Sequence, residues 1–357
     1  MLKDALNGCQ RGVYIRFRTD GSIFNIARLR SHTKTSQTLV QDLLYADDCG
    51  IFAHTKEDLQ YLLNNFVRAS KNFGLTISIQ KTEVLHQTVP NSPYEEPEIF
   101  VNDEKLKVAD RFTYLGSTIS NDGQLDIEIN RRIANSSSSF GRLKPRVFKS
   151  HDLKLSTKID VYRAVVISTL LYAAETWTIY SRHLQKLESF HQRCLRSIMK
   201  INWESRTTNI DVLKKANMTS IETEIRRRQL KWAGHVARMD DNRIPKQLLY
   251  GELKTGTRNK GRPKKRFKDE LKVTLGKFNI PDLSSLQDRT AWRRNVAMGA
   301  EKAEESRVDI RTEARLRRTN QEAAHDMGYN CDICGRKCGS GAGLAAHKRL
   351  VHRGQRP

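Results

Sequence analysis

The spacing of apolar residues changes several times along the chain, and each change marks a predicted element. Residues 43–54 (LLYADDCGIFAH) place two short apolar runs on either side of Asp47 and Asp48, which reads as strand, tight turn, strand. Residues 58–74 carry Leu59, Leu62, Leu63, Phe66 and Val67 at helical spacing and close on Gly74. Residues 76–85 (TISIQKTEVL) alternate again and predict a strand. This strand, helix, strand order, behind a helix tail at MLKDAL, predicts an α+β sheet domain. The prolines and polar residues of 90–96 mark a break, and 99–120 predicts one more small sheet element. Beyond Asp126 the period is helical. Residues 159–177 are apolar on most faces, which predicts a buried helix, and 184–201 predicts another.

Charge changes the picture from Glu222 onward. Between Ile225 and Lys268 there are fifteen Lys or Arg against Asp240, Asp241 and Glu252, and residues 258–268 hold seven cations in eleven positions. The whole chain carries a formal net charge of +23 at a pI near 9.9. That balance favours a polyanionic partner, RNA or DNA above all. Nothing favours a membrane: there is no apolar run of spanning length, no lipidation motif and no signal peptide, and the 159–177 helix holds Asp160, Arg163 and Glu175. A charge-laced helix over 301–318 reads as a solvated connector. Six cysteines, three of them scattered and three crowded near the C-terminus, do not form a disulfide framework. They point to an intracellular, reducing home, nuclear or cytoplasmic, with a metal site.

That site is Cys331-x2-Cys334-x12-His347-x4-His352, the ligand spacing of a ββα C2H2 zinc finger with one structural Zn²⁺. Tyr329 and Leu344 take the usual small-core positions, and Cys338 stands where an aromatic is common. Counted from the helix start, the base-reading positions are Ser340, Gly343 and Ala346, too short for bidentate contacts to bases. Lys337, Lys348, Arg349 and Arg353 remain to hold phosphates, so RNA shape, phosphate anchoring and protein contact all stay open.

Several other groups are candidates. Asp47 and Asp48 sit together at the predicted 43–54 turn. Paired acids at a rigid tip suit Mg²⁺ and phosphoryl transfer, although Asp-Asp is also ordinary turn chemistry. His191 and Cys194 lie at i, i+3 on a helix, but Phe190, Cys194, Leu195 and Ile198 describe a packing face. His235, between Trp232 and Met239, reads as packed too. The basic run with Arg262, Lys264, Lys265 and Arg266 fits a minor-groove arm, a nuclear-import signal or a solvated loop.

Taken in order, these segments resemble the C-terminal part of a non-LTR (LINE-type) retrotransposon reverse transcriptase. The Tyr45-Ala46-Asp47-Asp48 box is followed at family-like spacing by GLTISIQKTEVL (74–85) and by RFTYLGSTIS (111–120), which resembles the primer-grip hairpin. ETWT (175–178), FHQRCLRSI (190–198), LKWAGHVARM (230–239), GRPKKRFKD (261–269) and the terminal finger resemble the rest of such reading frames. The resemblance implies an incomplete polymerase palm over 1–92, a primer-grip hairpin and helical thumb-like region over 93–221, a basic region and connector over 222–324, and the finger over 325–357. It implies Asp47 as a Mg²⁺ ligand with Asp48 beside it and Lys81 beside the leaving pyrophosphate. Tyr114, Leu115 and Gly116 would lie at the primer end. A solvated strand-end lysine and a plain hairpin are the alternatives at the last two places.

The family's third carboxylate belongs on a strand well upstream of Tyr45, and only 44 residues precede it here. Asp42, about 16 Å from Asp47 along one strand and on the opposite face, does not replace it. Asp20 lies in a predicted turn and does not replace it either. The expectation is therefore a remnant that binds RNA or DNA but does not polymerise alone. The alternatives are an enzyme completed in trans by a second chain, and a binding protein whose activity lies in the finger and basic arm.

Overall fold

A computed structural model describes residues 2–31, 33–88, 93–256, 264–281, 283–327 and 329–352. By its contacts the chain divides into residues 1–300 and 301–357.

The first unit begins with α1 (Leu2–Leu6), followed by β1 (Val13–Phe17), β2 (Ser36–Val40), β3 (Asp42–Tyr45) and β4 (Asp48–Ile51). β1 and β2 pair antiparallel, with Ile15 opposite Thr38, and β3 and β4 form a separate hairpin. The helix expected over 58–74 is α2 (Lys56–Asn72); Thr55 caps it by accepting the Asp58 amide at 3.1 Å. Its apolar face packs Leu63 on Val84, Ile99, Val101 and Leu106, joined at the edge by Ile51 and Ile79.

The strand expected over 76–85 is largely absent. Residues 79–81 make a 3₁₀ turn, and only β5 (Glu83–Val84) is extended, parallel to β8 (Lys107–Val108). Alternation along 76–85 satisfied burial of Ile79 and Val84 without a partner strand beside the whole segment. The sheet element expected over 99–120 is two small hairpins, β6 (Phe100–Val101) with β7 (Glu104–Lys105), and β9 (Arg111–Tyr114) with β10 (Ser117–Ser120).

Helices follow as expected. α3 (Asp126–Leu143) runs into a π segment at Lys144–Phe148, where Pro145 removes an amide donor. The helix expected over 159–177 runs from Leu155 to Leu170, as α4 (Leu155–Val161), a π segment (Tyr162–Ile167) and α5 (Ser168–Leu170) joined without a gap, and ends before the expected Trp177. Ala173 then takes φ +59°, which turns the chain so that Ala174 and Trp177 enter the same core. α6 (Ser181–Ile198), α7 (Asn209–Ala216) and α8 (Ile221–Ala237) close that core, with Tyr162, Leu187, Leu195, Val212 and Ile225 buried at its centre. His191 and Cys194 belong to this packing face, and the Tyr162 hydroxyl lies 2.9 Å from His191 Nδ1. His235 differs from its expectation: it faces solvent, because Ala233, Val236 and Ala237 supply the buried stripe of α8.

After α9 (Ile244–Tyr250), β11 (Gly251–Leu253) pairs antiparallel with β1, so the three-stranded sheet runs β11-β1-β2. No sequence signal announced β11; Glu252 and Leu253 carry no strand pattern of their own. α10 (Phe267–Lys277) and the start of α11 (Arg289–Met327) complete the unit, and Trp292 is buried with its indole N–H donating to the Leu230 carbonyl at 2.9 Å. The expected 301–318 connector lies within α11. In the second unit an antiparallel bridge joins Asn330 to Lys337, ahead of α12 (Gly341–Val351). No helix among the described residues is long and apolar enough to cross a membrane.

Candidate nucleic-acid and metal sites

The β3–β4 hairpin turns at Ala46 and Asp47, and Ala46 takes φ +52°, a left-handed geometry that costs a residue with a Cβ about 1 kcal/mol. Asp47 and Asp48 are both exposed at this tip, and Leu44 and Tyr45 beside them are 54% and 63% exposed. Asp42 sits further down β3. Burial raises its carboxyl above the ordinary range, and burial followed by the Asp42 charge pushes the Cys49 thiol up to about 11. Asp20 is engaged elsewhere, paired with Arg18 at 2.7 Å and Arg28 at 3.7 Å.

Tyr114 lies against this hairpin. Its hydroxyl donates to the Leu43 carbonyl at 3.2 Å. Its phenol is held above the ordinary value first by burial, then by the charges of Asp48 and Cys49. Leu115 and Gly116 form the next tip at φ +47° and +78°, with Leu115 exposed. Three side chains of α3 grip this second hairpin. Glu128 accepts the Thr118 amide at 2.8 Å and pairs with Arg132 at 2.6 Å. Arg132 also donates to the Gly116 carbonyl and lies 4.5 Å from the Tyr172 ring centre. Arg131 reaches Thr113 and Thr118, each at 2.8 Å, and the Tyr172 hydroxyl holds the Leu115 carbonyl at 2.9 Å. Sequence reasoning named Tyr114 to Gly116 but missed Glu128, Arg132 and Tyr172. The signal of Glu128 and Arg132, an i, i+4 acid–base pair, is too common to single out, and Tyr172 carried none.

Lys81 is exposed at the end of its 3₁₀ turn, and Ile79 beside it packs on the cluster that takes Ile51 from β4. The basic run is partly engaged within the chain. Lys265 is 3.3 Å from Glu270, Arg266 pairs with Glu252, and Lys264 donates to the Asp122 carbonyl. Arg262 lies outside the described residues.

Does the hairpin suit a divalent ion? Mg²⁺ asks for oxygen ligands in octahedral geometry and is commonly held by one or two carboxylates with waters and substrate phosphates. Asp47 and Asp48 supply two carboxylates, and among the described residues no third acidic group gathers with them. That donor set fits one largely hydrated ion and not a bridged pair. The second unit differs. Ligand atoms of Cys331, Cys334, His347 and His352 all lie within 4.8 Å of one another, with Cys334 Sγ 3.2 Å from His347 Nε2. Two thiols and two imidazoles converging in this way fit tetrahedral Zn²⁺. Desolvation, His352 and Arg336 all lower the His347 imidazole, which favours the neutral ring a metal needs. Ser340 caps α12 by accepting the Gly343 amide at 3.0 Å, and Lys348 pairs with Asp332 at 2.6 Å. Arg353 lies outside the described residues.

Residues 21–119 match the family described as reverse transcriptase (RNA-dependent DNA polymerase). The matched stretch takes in the β3–β4 hairpin and the β9–β10 hairpin up to Ile119. Two relatives are described as transposon or mobile-element proteins. An uncharacterized transposon-derived protein of Caenorhabditis elegans is 25% identical over 272 residues, covering 71% of this chain and 96% of that protein. The RNA-directed DNA polymerase from mobile element jockey of Drosophila funebris is 24% identical over 181 residues, covering 47% of this chain and 19% of that protein.

Proposed function

We propose that this chain is a retrotransposon-derived RNA-directed DNA polymerase remnant that binds RNA or DNA and does not polymerise alone. One observation carries the reading. The Asp47–Asp48 tip adjoins a primer-grip-like hairpin through Tyr114, yet no third carboxylate gathers with it among the described residues. Two-metal phosphoryl transfer needs carboxylates that bridge both ions. Two acids on one turn would hold a single hydrated Mg²⁺ weakly, with Asp47 as ligand and Asp48 beside it, and Lys81 would then lack an activated phosphate to protonate. The net charge of +23 supports retention of nucleic acid by phosphate contacts. Arg262, Lys264, Lys265 and Arg266 add their charge to that balance, and Zn²⁺ bound by Cys331, Cys334, His347 and His352 would hold the finger folded.

The test is primer extension by the full chain with Mg²⁺ or Mn²⁺, run beside anisotropy titrations of labelled RNA and DNA over a salt series. The expected outcome is salt-steep binding without template-dependent synthesis. Synthesis abolished by Asp47→Ala would overturn the remnant reading, and synthesis appearing only when a second chain is added would favour completion in trans. Binding lost entirely in Cys334→Ser would move the activity to the finger.

A further inference from the structure

The largest exposed apolar side chain in the first unit belongs to no element of the two hairpins. Trp203 is 85% exposed, in the loop between α6 and α7. Of the four tryptophans, Trp177 and Trp292 are buried and Trp232 is half-buried against Phe267, so Trp203 alone faces water fully.

The loop that carries it is not loose. Lys200 takes φ +54° after α6, and the Ile201 amide returns to the Arg196 carbonyl at 2.9 Å, a helix stop of Schellman type. Residues 203–205 form a 3₁₀ turn that closes at Arg206 with φ +47°. Ser205 Oγ donates to the Asn202 carbonyl at 2.7 Å and lies 2.9 Å from Thr207 Oγ1. Arg196 donates to the Thr207 carbonyl at 2.8 Å and to Asn209 at 2.9 Å, tying the far end of the loop back to α6. Thr208 then caps α7. A backbone fixed at both ends thus presents a large aromatic plane to solvent, where a polar residue would satisfy the turn equally well.

The charge flanking it along the chain is one-sided. Residues 193–206 hold Arg193, Arg196, Lys200 and Arg206 against the single acid Glu204. A rigid aromatic among cations is the combination that binds single-stranded nucleic acid, with a base stacked on the ring and phosphates met by the cations. We infer that Trp203 is a stacking site for a nucleobase of single-stranded RNA or DNA, with Lys200 and Arg206 meeting the flanking phosphates. The inference rests on the proposed nucleic-acid binding and assigns it a place on the helical region, away from the Asp47–Asp48 tip in sequence.

The experiment titrates the zinc-loaded full chain with labelled unstructured 20-mers, one of RNA and one of DNA, reading probe anisotropy and tryptophan emission together. Stacking on Trp203 quenches emission with the same midpoint as the anisotropy change. Trp203→Ala is expected to abolish the quench and weaken binding about 5- to 150-fold, and Trp203→Tyr to restore most of the affinity. Such an exposed position leaves the folded structure intact, which the circular dichroism of each variant checks. Quenching by either probe supports the site, and the two arms identify RNA or DNA as its source. Binding by anisotropy with unchanged emission and equal affinity in Trp203→Ala overturns the stacking site while leaving nucleic-acid binding in place. Absence of binding by both probes removes the stacking site and the proposed function together.

Discussion

Arg132→Met isolates the support of the β9–β10 hairpin. In the wild type the Arg132 and Glu128 side chains are only 7% and 2% exposed and sit 2.6 Å apart. Arg132 also holds the Gly116 carbonyl and stacks on Tyr172, while Glu128 holds the Thr118 amide. Methionine retains much of the volume and removes the charge, leaving Glu128 buried with a single donor. Removing one partner of a buried pair costs about 3–5 kcal/mol, because the remaining ion has lost both its solvent and its counter-charge. For a large cooperative unit this corresponds to a fall of about 5–10 °C in Tm. The assay is thermal unfolding of wild type, Arg132→Met, Glu128→Gln and the double variant. If the argument holds, the double variant is more stable than the sum of the single losses predicts, since it no longer buries a lone carboxylate. A loss below about 1 kcal/mol in Arg132→Met, or strict additivity, would refute it.

Three further outcomes follow from other places in the fold. A Cβ added at Gly234 would lie 2.2 Å from Trp292 Nε1, so Gly234→Ala is expected to cost about 2–3 kcal/mol, measured by urea unfolding. Lys268 donates to the Gly251 carbonyl at 2.7 Å in a buried setting, and burial first, then the Arg28 and Arg266 charges, bring its amine down to about 8. The unfolded chain therefore binds a proton that the folded chain releases between pH 8 and 10.5. Its penalty of roughly 2–3 kcal/mol is full below pH 8 and fades as pH rises through that window. Stability relative to Lys268→Met should climb between pH 7.5 and 10, and a flat difference would contradict the assignment. Chelating zinc should unfold residues 329–352, seen as loss of zinc-dependent helix signal and new proteolytic cuts there, while the thermal transition of residues 1–300 stays in place.

Periodicity and spacing by themselves determined a good part of this protein. The two acids at a tight turn, the helix that closes on Gly74, the helical onset at Asp126 and the packing face of α6 all follow from local side-chain order, because each is decided within a few residues of chain. The four Cys and His positions were legible for the same reason: metal-ligand spacing is a local constraint.

Tertiary structure decided what local order leaves degenerate. A segment that is apolar on most faces does not say where it turns. The 159–177 segment leaves the helix after Leu170, and α8 meets carbonyls beyond that point, Arg228 donating to Leu171 at 3.1 Å and Gln229 to Trp177 at 2.8 Å. Those donors lie more than fifty residues away, as does β11, which becomes a strand because β1 offers it an edge. Tyr114 likewise meets Leu43 across 71 residues. Hydrogen-bond partners at such separations are chosen by the packing of the whole core, and no window of sequence contains them.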